Sequence, residues 1–306
     1  MLFVERMAWW STPYFSAIME NKTYSMKDLR KLQLVELEIL KDFIAICEKH
    51  KLPYFATGGT AIGALRHQGF IPWDDDIDIC MLREDYDKFM KIAPKEMGEK
   101  YIFMSTDTEK RYPLMFGKMI KKGTKFVEDA YQQVNYPLGI FIDIFPYDRT
   151  SENEKLRKKH QKKTWFWARL QVLTLIPNPN LPPDVKGWKK KAAEWGCKIL
   201  HVLFKMVHIT PQMCTDKYLK WATHCEDDSD LYIDYSYITG ENLMIRIRDS
   251  FPTVNYKFED TEVALVKDFD AFLRPEYGDY MQMPPEDERH NHYASFIDFG
   301  DGETGN

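Results

Sequence analysis

The sequence predicts an α+β protein, and three observations support that prediction. Apolar residues recur at helical spacing between residues 25 and 53. An apolar run, a pair of glycines and a second helix start follow at residues 54–66. Beyond them, several short apolar runs are typical of strands. With 306 residues, 44% of them hydrophobic and 29% charged, the chain can bury a substantial core.

The first predicted helix begins at Ser25 and stops at Pro53. Ser25 followed by Asp28 resembles a capping box, which pairs the free backbone N–H groups at a helix start. The apolar positions on one side of this helix are Leu29, Leu32, Val35, Leu40, Phe43 and Cys47. We interpret it as a packing helix that covers the sheet.

A glycine turn comes directly after this helix. The apolar run 54–56 predicts a strand, Gly58-Gly59-Thr60 a turn, and residues 61–66 the start of a helix. Glycines let the backbone come close to phosphate oxygens, and the amides at a helix N-terminus point toward them. The turn is therefore a candidate phosphate-binding element.

Four carboxylates crowd into the next segment. Asp74, Asp75, Asp76 and Asp78 lie within five residues and run into an apolar alternation. A strand over residues 76–81 places Asp76 and Asp78 on one face and turns Ile77 and Ile79 into the core. Paired carboxylates without a neighbouring His or thiolate suit Mg²⁺ or Mn²⁺. The alternative is a solvated acidic turn before a strand.

A helix over residues 83–92, ending before Pro94, and strands over 101–105 and 114–120 are predicted next. Lys118, in the second of these strands, is either a phosphate contact or a charge on an edge strand.

Residues 139–146 read as a buried strand with one charge, Asp143, in its interior. A buried carboxylate needs a cation, an arginine or a proton. A third metal ligand beside Asp76 and Asp78 is one answer, and the arrangement is then that of two-metal phosphoryl transfer. A basic partner in the core is the other. Toward the C-terminus we expect a strand over 254–258 and a helix over 261–273.

Several of these segments together resemble one family. They are Gly59-Thr60, the stretch GALRHQGFIPWDDDID from Gly63 to Asp78, FIDIFP from Phe141 to Pro146, Tyr277-Gly-Asp-Tyr280, Pro284-Pro285 and Arg289. They resemble the LicD family of phosphotransferases, which includes bacterial phosphocholine transferases and is related to fukutin-type transferases. The resemblance covers most of residues 25–292, and its acidic core is long and specific.

This resemblance implies a nucleotidyltransferase-like fold, a mixed sheet flanked by helices. It makes Asp76, Asp78 and Asp143 the catalytic metal ligands and places Gly59 and Thr60 near the donor phosphates. By the same resemblance, Arg66, in an insertion shared with LicD-like chains, and Arg289 are candidate donor-binding residues. Lys118 is added to them from its place in the strand. His290 and His292, after Arg289, are interpreted as surface residues and not as metal ligands.

Positive charge is concentrated in the middle of the chain. Residues 151–225 hold fifteen Lys or Arg and five Asp or Glu, a local charge of +10, whereas the whole chain carries −5. Basic helices with aromatic residues suit an anionic membrane surface or an anionic glycan. The alternative is a helical cap with solvated lysines. We divide the chain into a catalytic core (1–150), a basic helical subdomain (151–230) and a C-terminal part that completes the core (231–306).

The sequence-level hypothesis is therefore transfer of a phospho-alcohol group, phosphocholine first, from a CDP-activated donor to a glycan or lipid-linked glycan, with Mg²⁺ or Mn²⁺. A nucleotide-sugar glycosyltransferase and a non-catalytic nucleotide sensor are the alternatives. Neither a signal peptide nor a membrane-spanning segment is expected, and the odd number of five cysteines suits a reducing compartment. We therefore expect a cytoplasmic protein, in peripheral contact with the membrane if the basic segment binds lipid. No nucleic acid is expected as a partner, because the chain is acidic overall.

Overall fold

The computed structural model describes residues 24–128, 137–177, 179, 181, 185–237, 240–289, 291 and 293–305. The helices in this part of the chain are α1 (Met26–His50), α2 (Gly58–His67), α3 (Arg83–Met97), α4 (Glu154–Leu175), α5 (Gly187–Met206), α6 (Pro211–Ala222), α7 (Ile247–Ser250) and α8 (Phe269–Tyr277). The first six strands are β1 (Phe55–Ala56), β2 (Asp78–Leu82), β3 (Tyr101–Met104), β4 (Gly117–Lys121), β5 (Lys125–Glu128) and β6 (Phe141–Arg149). The others are β7 (Leu231–Ile233), β8 (Ile245–Arg246), β9 (Val254–Phe258), β10 (Thr261–Leu265), β11 (Ala294–Asp298) and β12 (Thr304–Gly305).

The main sheet is mixed, with strand order β1-β2-β6-β4-β3. β2 and β6 run parallel, and the other pairs along this path are antiparallel. β7 pairs with the far end of β6 and β8 pairs with β7, so residues after 230 extend the same sheet. The prediction of an α+β fold with helices around a mixed sheet is confirmed. The division into three parts stays a prediction.

Helix α1 lies over the sheet as its apolar pattern predicts. Leu32, Leu40 and Phe43 are completely buried. Ser25 caps the helix, since its hydroxyl accepts a hydrogen bond from the Asp28 backbone N–H at 3.1 Å. At the other end Lys51 takes a left-handed conformation, φ 54°, that closes the helix before Pro53.

Three predicted helix boundaries are wrong. α2 begins at Gly58, with Thr57 as its N-cap, so the glycine turn predicted before this helix is its first helical turn. α3 continues through Pro94 to Met97, and because Pro94 stands in the last turn, its missing N–H affects only the end of the helix. Residues 261–265 are not helical but form strand β10, paired with β9. The two strands are joined by a two-residue turn in which Glu259 has φ 56°, and the helix begins only at Phe269.

The basic segment forms helices α4, α5 and α6. α4 and α6 pack together, and Trp167 lies against a small buried cluster that contains Tyr218 of α6 and Ile233 of β7. Gln171 of α4 fastens this layer to the core, as its side-chain amide donates to the Tyr112 carbonyl at 2.9 Å. Part of the segment is thus a helical cap. None of the helices in the described ranges is long and apolar enough to cross a bilayer.

Candidate active site

Three charged side chains lie side by side on adjacent strands. Asp78 of β2 is the register partner of Asp143 of β6, and Asp143 is the register partner of Lys118 of β4. Register partners point to the same face of a sheet. The two carboxylates predicted from different strands are therefore neighbours. Asp143 also has a basic partner, because the Lys118 ammonium lies 2.8 Å from its Oδ1.

Lys118 is not on an edge strand, since β4 lies between β6 and β3. It is 4% exposed, and its ammonium lies 3.1 Å from the centre of the Phe141 ring. The edge-strand interpretation of this residue is wrong. Its ammonium lies within the acidic site, beside the Asp143 carboxylate.

The alternation predicted around the acidic segment is present. Ile77 and Ile79 are completely buried, while Asp76 and Asp78 on either side of Ile77 are partly exposed. β2 begins at Asp78, so Asp76 belongs to the segment before the strand and not to the strand itself. Asp75 is 2% exposed and faces the Tyr24 hydroxyl, whose pKa is raised by burial and further by this carboxylate. Asp75 is thus held inside the protein while its neighbours face outward.

The glycine turn is joined to the start of β2. The Thr60 hydroxyl accepts a hydrogen bond from the Asp78 backbone N–H at 2.9 Å, and the Thr57 N–H donates to the Asp78 carbonyl at 3.2 Å. Gly58 has φ 55°, a conformation that side chains rarely adopt. A Cβ on Gly59 would lie 2.2 Å from Asp74 Oδ2. The turn therefore needs glycine because acidic side chains press against the start of α2.

Two arginines lie close to the start of the acidic segment. The Arg66 guanidinium donates to the carbonyls of Tyr280 and Gln282, at 2.7 and 3.0 Å. Burial lowers the pKa of Arg66; Asp74 opposes this shift, and Arg289 adds to it. Arg289 stacks on Trp73, 4.8 Å from the ring centre. The structure therefore brings both predicted arginines near Asp74. His290 and His292 lie outside the described residues.

Tyr277 is a further side chain at this place. Its hydroxyl lies 3.5 Å from the position that a Cβ on Gly58 would take, beside the 3.2 Å approach of Asp78 Oδ2. In the sequence, Tyr277 stands out only as part of the Tyr277-Gly-Asp-Tyr280 motif. Nothing in its spacing indicates that α8 carries it back to the glycine turn.

Glu36 of α1 is a second residue at the site that the sequence pattern did not identify. It is 3% exposed, and within the described residues its Oε2 has no hydrogen-bond partner. Its pKa is raised well above the ordinary value, first by burial and then by the charges of Asp76, Asp75, Asp74 and Asp143. A signal was present, because Glu36 occupies a core position of the helical repeat between Leu32 and Leu40. A charged residue on an apolar helix face calls for an explanation.

We expect Glu36→Gln to raise the thermal stability of the metal-free protein at neutral pH. The pKa of Glu36 in the folded state lies above its ordinary value of 4.5. Wild-type stability is therefore fullest below that pH and is lost as the pH rises above it, by about 1.4 kcal/mol per pH unit until the group ionises. Gln does not titrate, so the melting temperatures of the two proteins in EDTA should coincide near pH 4 and diverge toward pH 8. Parallel curves contradict the burial of a protonated Glu36.

The acidic site consists of Asp74, Asp75, Asp76, Asp78 and Asp143. Their carboxylates supply the oxygen ligands that Mg²⁺ and Mn²⁺ prefer, and the set contains no thiolate or imidazole. The described residues contain no group of three or more His, Cys, Asp or Glu already arranged to hold a metal ion. The donor set fits a hard divalent cation by its chemistry. The side chains of this donor set have to move closer together to coordinate such a cation.

The family described as LicD/FKTN/FKRP, nucleotidyltransferase domain, matches residues 51–176. A relative named lipopolysaccharide cholinephosphotransferase LicD, from Haemophilus influenzae, is 32% identical over 285 residues, which are 87% of this chain and 96% of that protein. The chain belongs to the LicD family. It is accordingly an enzyme of the transferase class.

Two further relatives are uncharacterized Rickettsia proteins. The one from Rickettsia typhi is 29% identical over 192 residues, 60% of this chain and 55% of that protein. The one from Rickettsia prowazekii is 38% identical over 74 residues, 24% of this chain and 27% of that protein. The matched family region of this LicD chain, residues 51–176, contains the glycine turn, the acidic segment, Lys118 and Asp143.

Proposed function

We propose that this LicD-family chain transfers phosphocholine from a CDP-activated donor to a sugar hydroxyl of a cell-surface glycan precursor, with Mg²⁺ or Mn²⁺. The precursor belongs to the lipopolysaccharide, teichoic acid or capsule class. The name of the Haemophilus relative supports choline phosphate as the transferred group and lipopolysaccharide as the acceptor.

The observation that carries the proposal is the pairing of Asp78 with Asp143 in register, directly beside a glycine turn. The turn and the first carboxylate are joined by the Thr60 hydrogen bond to the Asp78 backbone. A diphosphate lying over the start of α2 meets backbone amides on one side and the carboxylate row on the other. This arrangement suits a nucleotide diphosphate better than a neutral substrate.

Asp76, Asp78 and Asp143 are the residues that would hold the cation. When bound, a divalent cation neutralises the donor diphosphate and stabilises the departing nucleotide. Lys118 places a fixed positive charge beside Asp143. Arg66 and Arg289, which lie near one another and near Asp74, are the candidate contacts for the remaining donor oxygens.

The acceptor hydroxyl must lose a proton, and two carboxylates outside the ligand set are candidates to take it. Asp75 is nearly completely buried and faces Tyr24, which leaves little room for a sugar. Asp74 is partly exposed and touches the glycine turn through Gly59. We therefore assign the role of general base to Asp74.

The proposed reaction also implies a location. The transferase acts in the cytoplasm, where nucleotide-activated donors and unfinished surface glycans are present.

We expect CDP-choline with Mg²⁺ or Mn²⁺ to raise the melting temperature of the wild-type protein, because a ligand that binds only the folded state stabilises it. The panel contains CDP-choline, CDP-ethanolamine, CDP-glycerol, UDP-glucose and CDP alone, each with Mg²⁺ and with EDTA. The shift should depend on the divalent cation and be largest for CDP-choline. A concentration of about 100 Kd stabilises by about 2.7 kcal/mol, so the shift is measurable.

The same panel separates the alternatives. Stabilisation by CDP-ethanolamine or CDP-glycerol alone keeps the reaction class and replaces choline. Stabilisation and hydrolysis of UDP-glucose in place of the CDP donors favours a glycosyltransferase. Binding of donor with no turnover toward any glycan acceptor favours a nucleotide sensor.

A further inference from the structure

Helix α5 exposes an apolar face. Trp188 is 76% exposed, Trp195 67% and Met206 68%, and Ile199, Val202 and Leu203 are also open to solvent. Residues 188, 195, 199, 202 and 206 are separated by seven, four, three and four positions, which places them on one side of the helix. We call these five residues and Leu203 the α5 face. It is an unusually apolar surface for a charged helix.

The opposite side of α5 is the one that holds the helix to the protein. His201 is the only buried residue on α5, and its Nδ1 lies 2.8 Å from the Leu173 carbonyl of α4. Cys197, four positions before His201, is partly buried. The apolar residues of the α5 face therefore do not pack in the protein core.

Lysines border the α5 face. Lys191, Lys198 and Lys205 recur every seven residues, and all three are exposed. Lys198 follows Trp195 by three positions, and its ammonium lies 5.6 Å from the Trp195 ring centre. Lys191 precedes Trp195 by four positions and Lys205 follows Val202 by three, so all three lie along the edge of the apolar residues. The helix therefore carries a row of positive charge beside an apolar stripe.

We propose that the α5 face docks on an anionic lipid bilayer. Apolar side chains that lie in one plane can enter the acyl boundary, tryptophan favours the interface, and lysines at the border reach the lipid phosphates. The helix has 20 residues, about 30 Å when laid flat. An anionic glycan matches the lysines but offers nothing to the six apolar residues. A lipid surface satisfies both.

The test is sedimentation of the full chain with vesicles. We expect binding to vesicles of phosphatidylcholine mixed with phosphatidylglycerol, weaker binding to phosphatidylcholine alone, and a loss of binding as salt is raised. Trp195→Ser combined with Ile199→Ser should weaken the partition by at least about tenfold, because it removes two of the inserted side chains. Leu34→Ser combined with Met213→Ser, which changes two exposed apolar residues on other helices, is the matched control and should bind as wild type.

The charge contribution has its own matched pair. Lys191, Lys198 and Lys205 changed together to Gln should weaken binding by at least about tenfold and flatten the salt dependence. Lys155, Lys162 and Lys217 are exposed lysines on α4 and α6, and their change to Gln alters net charge equally. This control triple should retain most of the binding. All these residues are exposed, so unchanged melting temperatures verify that the variants fold.

Three outcomes overturn the proposal. The first is that the protein binds neither of the two vesicle types. Another is equal loss of binding in the lysine triple and its control, which indicates attraction by net charge alone. The third is a dimer, seen by light scattering, that Trp195→Ser with Ile199→Ser dissociates, because the α5 face is then covered by a second copy of the chain. The assay measures lipid binding and does not depend on the transferase reaction.

Discussion

Asp76→Asn and Asp78→Asn are each expected to lower donor turnover by about a thousandfold while leaving the fold intact. Both residues are partly exposed and lie on either side of the completely buried Ile77. Asn keeps the size of Asp but removes the charge that attracts a divalent cation. Turnover of CDP-choline with Mg²⁺, measured by release of the nucleotide, is the assay.

Asp216→Asn is the control, because Asp216 is an exposed residue of α6 outside the acidic site. It should leave turnover unchanged. In EDTA, melting temperatures of the two site variants should not fall below that of the wild type, because each removes one of several like charges from a crowded site. With Mg²⁺ the wild type should be stabilised and the variants should not. Full activity in both Asp76→Asn and Asp78→Asn refutes the proposed cation role.

Those features of the acidic site that depend on neighbouring residues in the sequence could be predicted from the sequence. The alternation around Ile77 and Ile79 fixes the side to which Asp76 and Asp78 turn, whether or not the strand extends to Asp76. A lone charge in a buried strand identifies Asp143. Its position directly opposite Asp78 depends on the strand order, which no single segment reveals.

What sequence reasoning missed depends on contacts between distant segments. Glu36 stands within an apolar helix repeat, and only the packing of α1 against the acidic segment gives it a context. Gln33 on the same helix donates to the Asp74 carbonyl at 2.9 Å, so α1 also supports the loop that carries the carboxylates. Strand β9 agrees with the prediction, whereas β10 is predicted as helix because its apolar run is short, and such runs fit either structure until the turn before them is recognised.

The structure bears out the helical-cap alternative for part of the basic segment, and the membrane or glycan alternative stays a prediction. Trp167 packs on the buried cluster of α6 and β7, as expected for a helical cap. Trp188 and Trp195 are exposed, as expected for an interfacial helix. Composition alone does not distinguish a tryptophan that packs on the core from one that is exposed. Only the position of each helix relative to the sheet separates them.

Lys118→Met is expected to have the largest effect on stability, a loss of about 3–5 kcal/mol in the absence of metal. The Lys118 ammonium lies 2.8 Å from Asp143 Oδ1, and both residues are nearly buried, at 4% and 9% exposure. Met fills a similar volume but leaves Asp143 beside Asp78 without its basic neighbour. Urea unfolding in EDTA measures the loss.

Lys121→Met on the same strand is the matched control for this prediction. Lys121 pairs with Glu38 on α1, and both side chains are partly exposed, at 23% and 43%. Exposed ion pairs contribute about 0–1 kcal/mol, so this variant should lose little stability. Similar losses in Lys118→Met and Lys121→Met contradict a buried charge pair in the site.

A double variant and a cation separate the two roles of Lys118. Lys118→Met combined with Asp143→Leu should recover most of the lost stability, because replacing both members of a buried ion pair by apolar residues is often neutral. It should remain inactive, since one proposed cation ligand is gone. Mg²⁺ should stabilise Lys118→Met more than the wild type, because the divalent charge then replaces the missing ammonium beside Asp143 and Asp78. An equal Mg²⁺ effect on both proteins indicates that the cation does not bind next to Asp143.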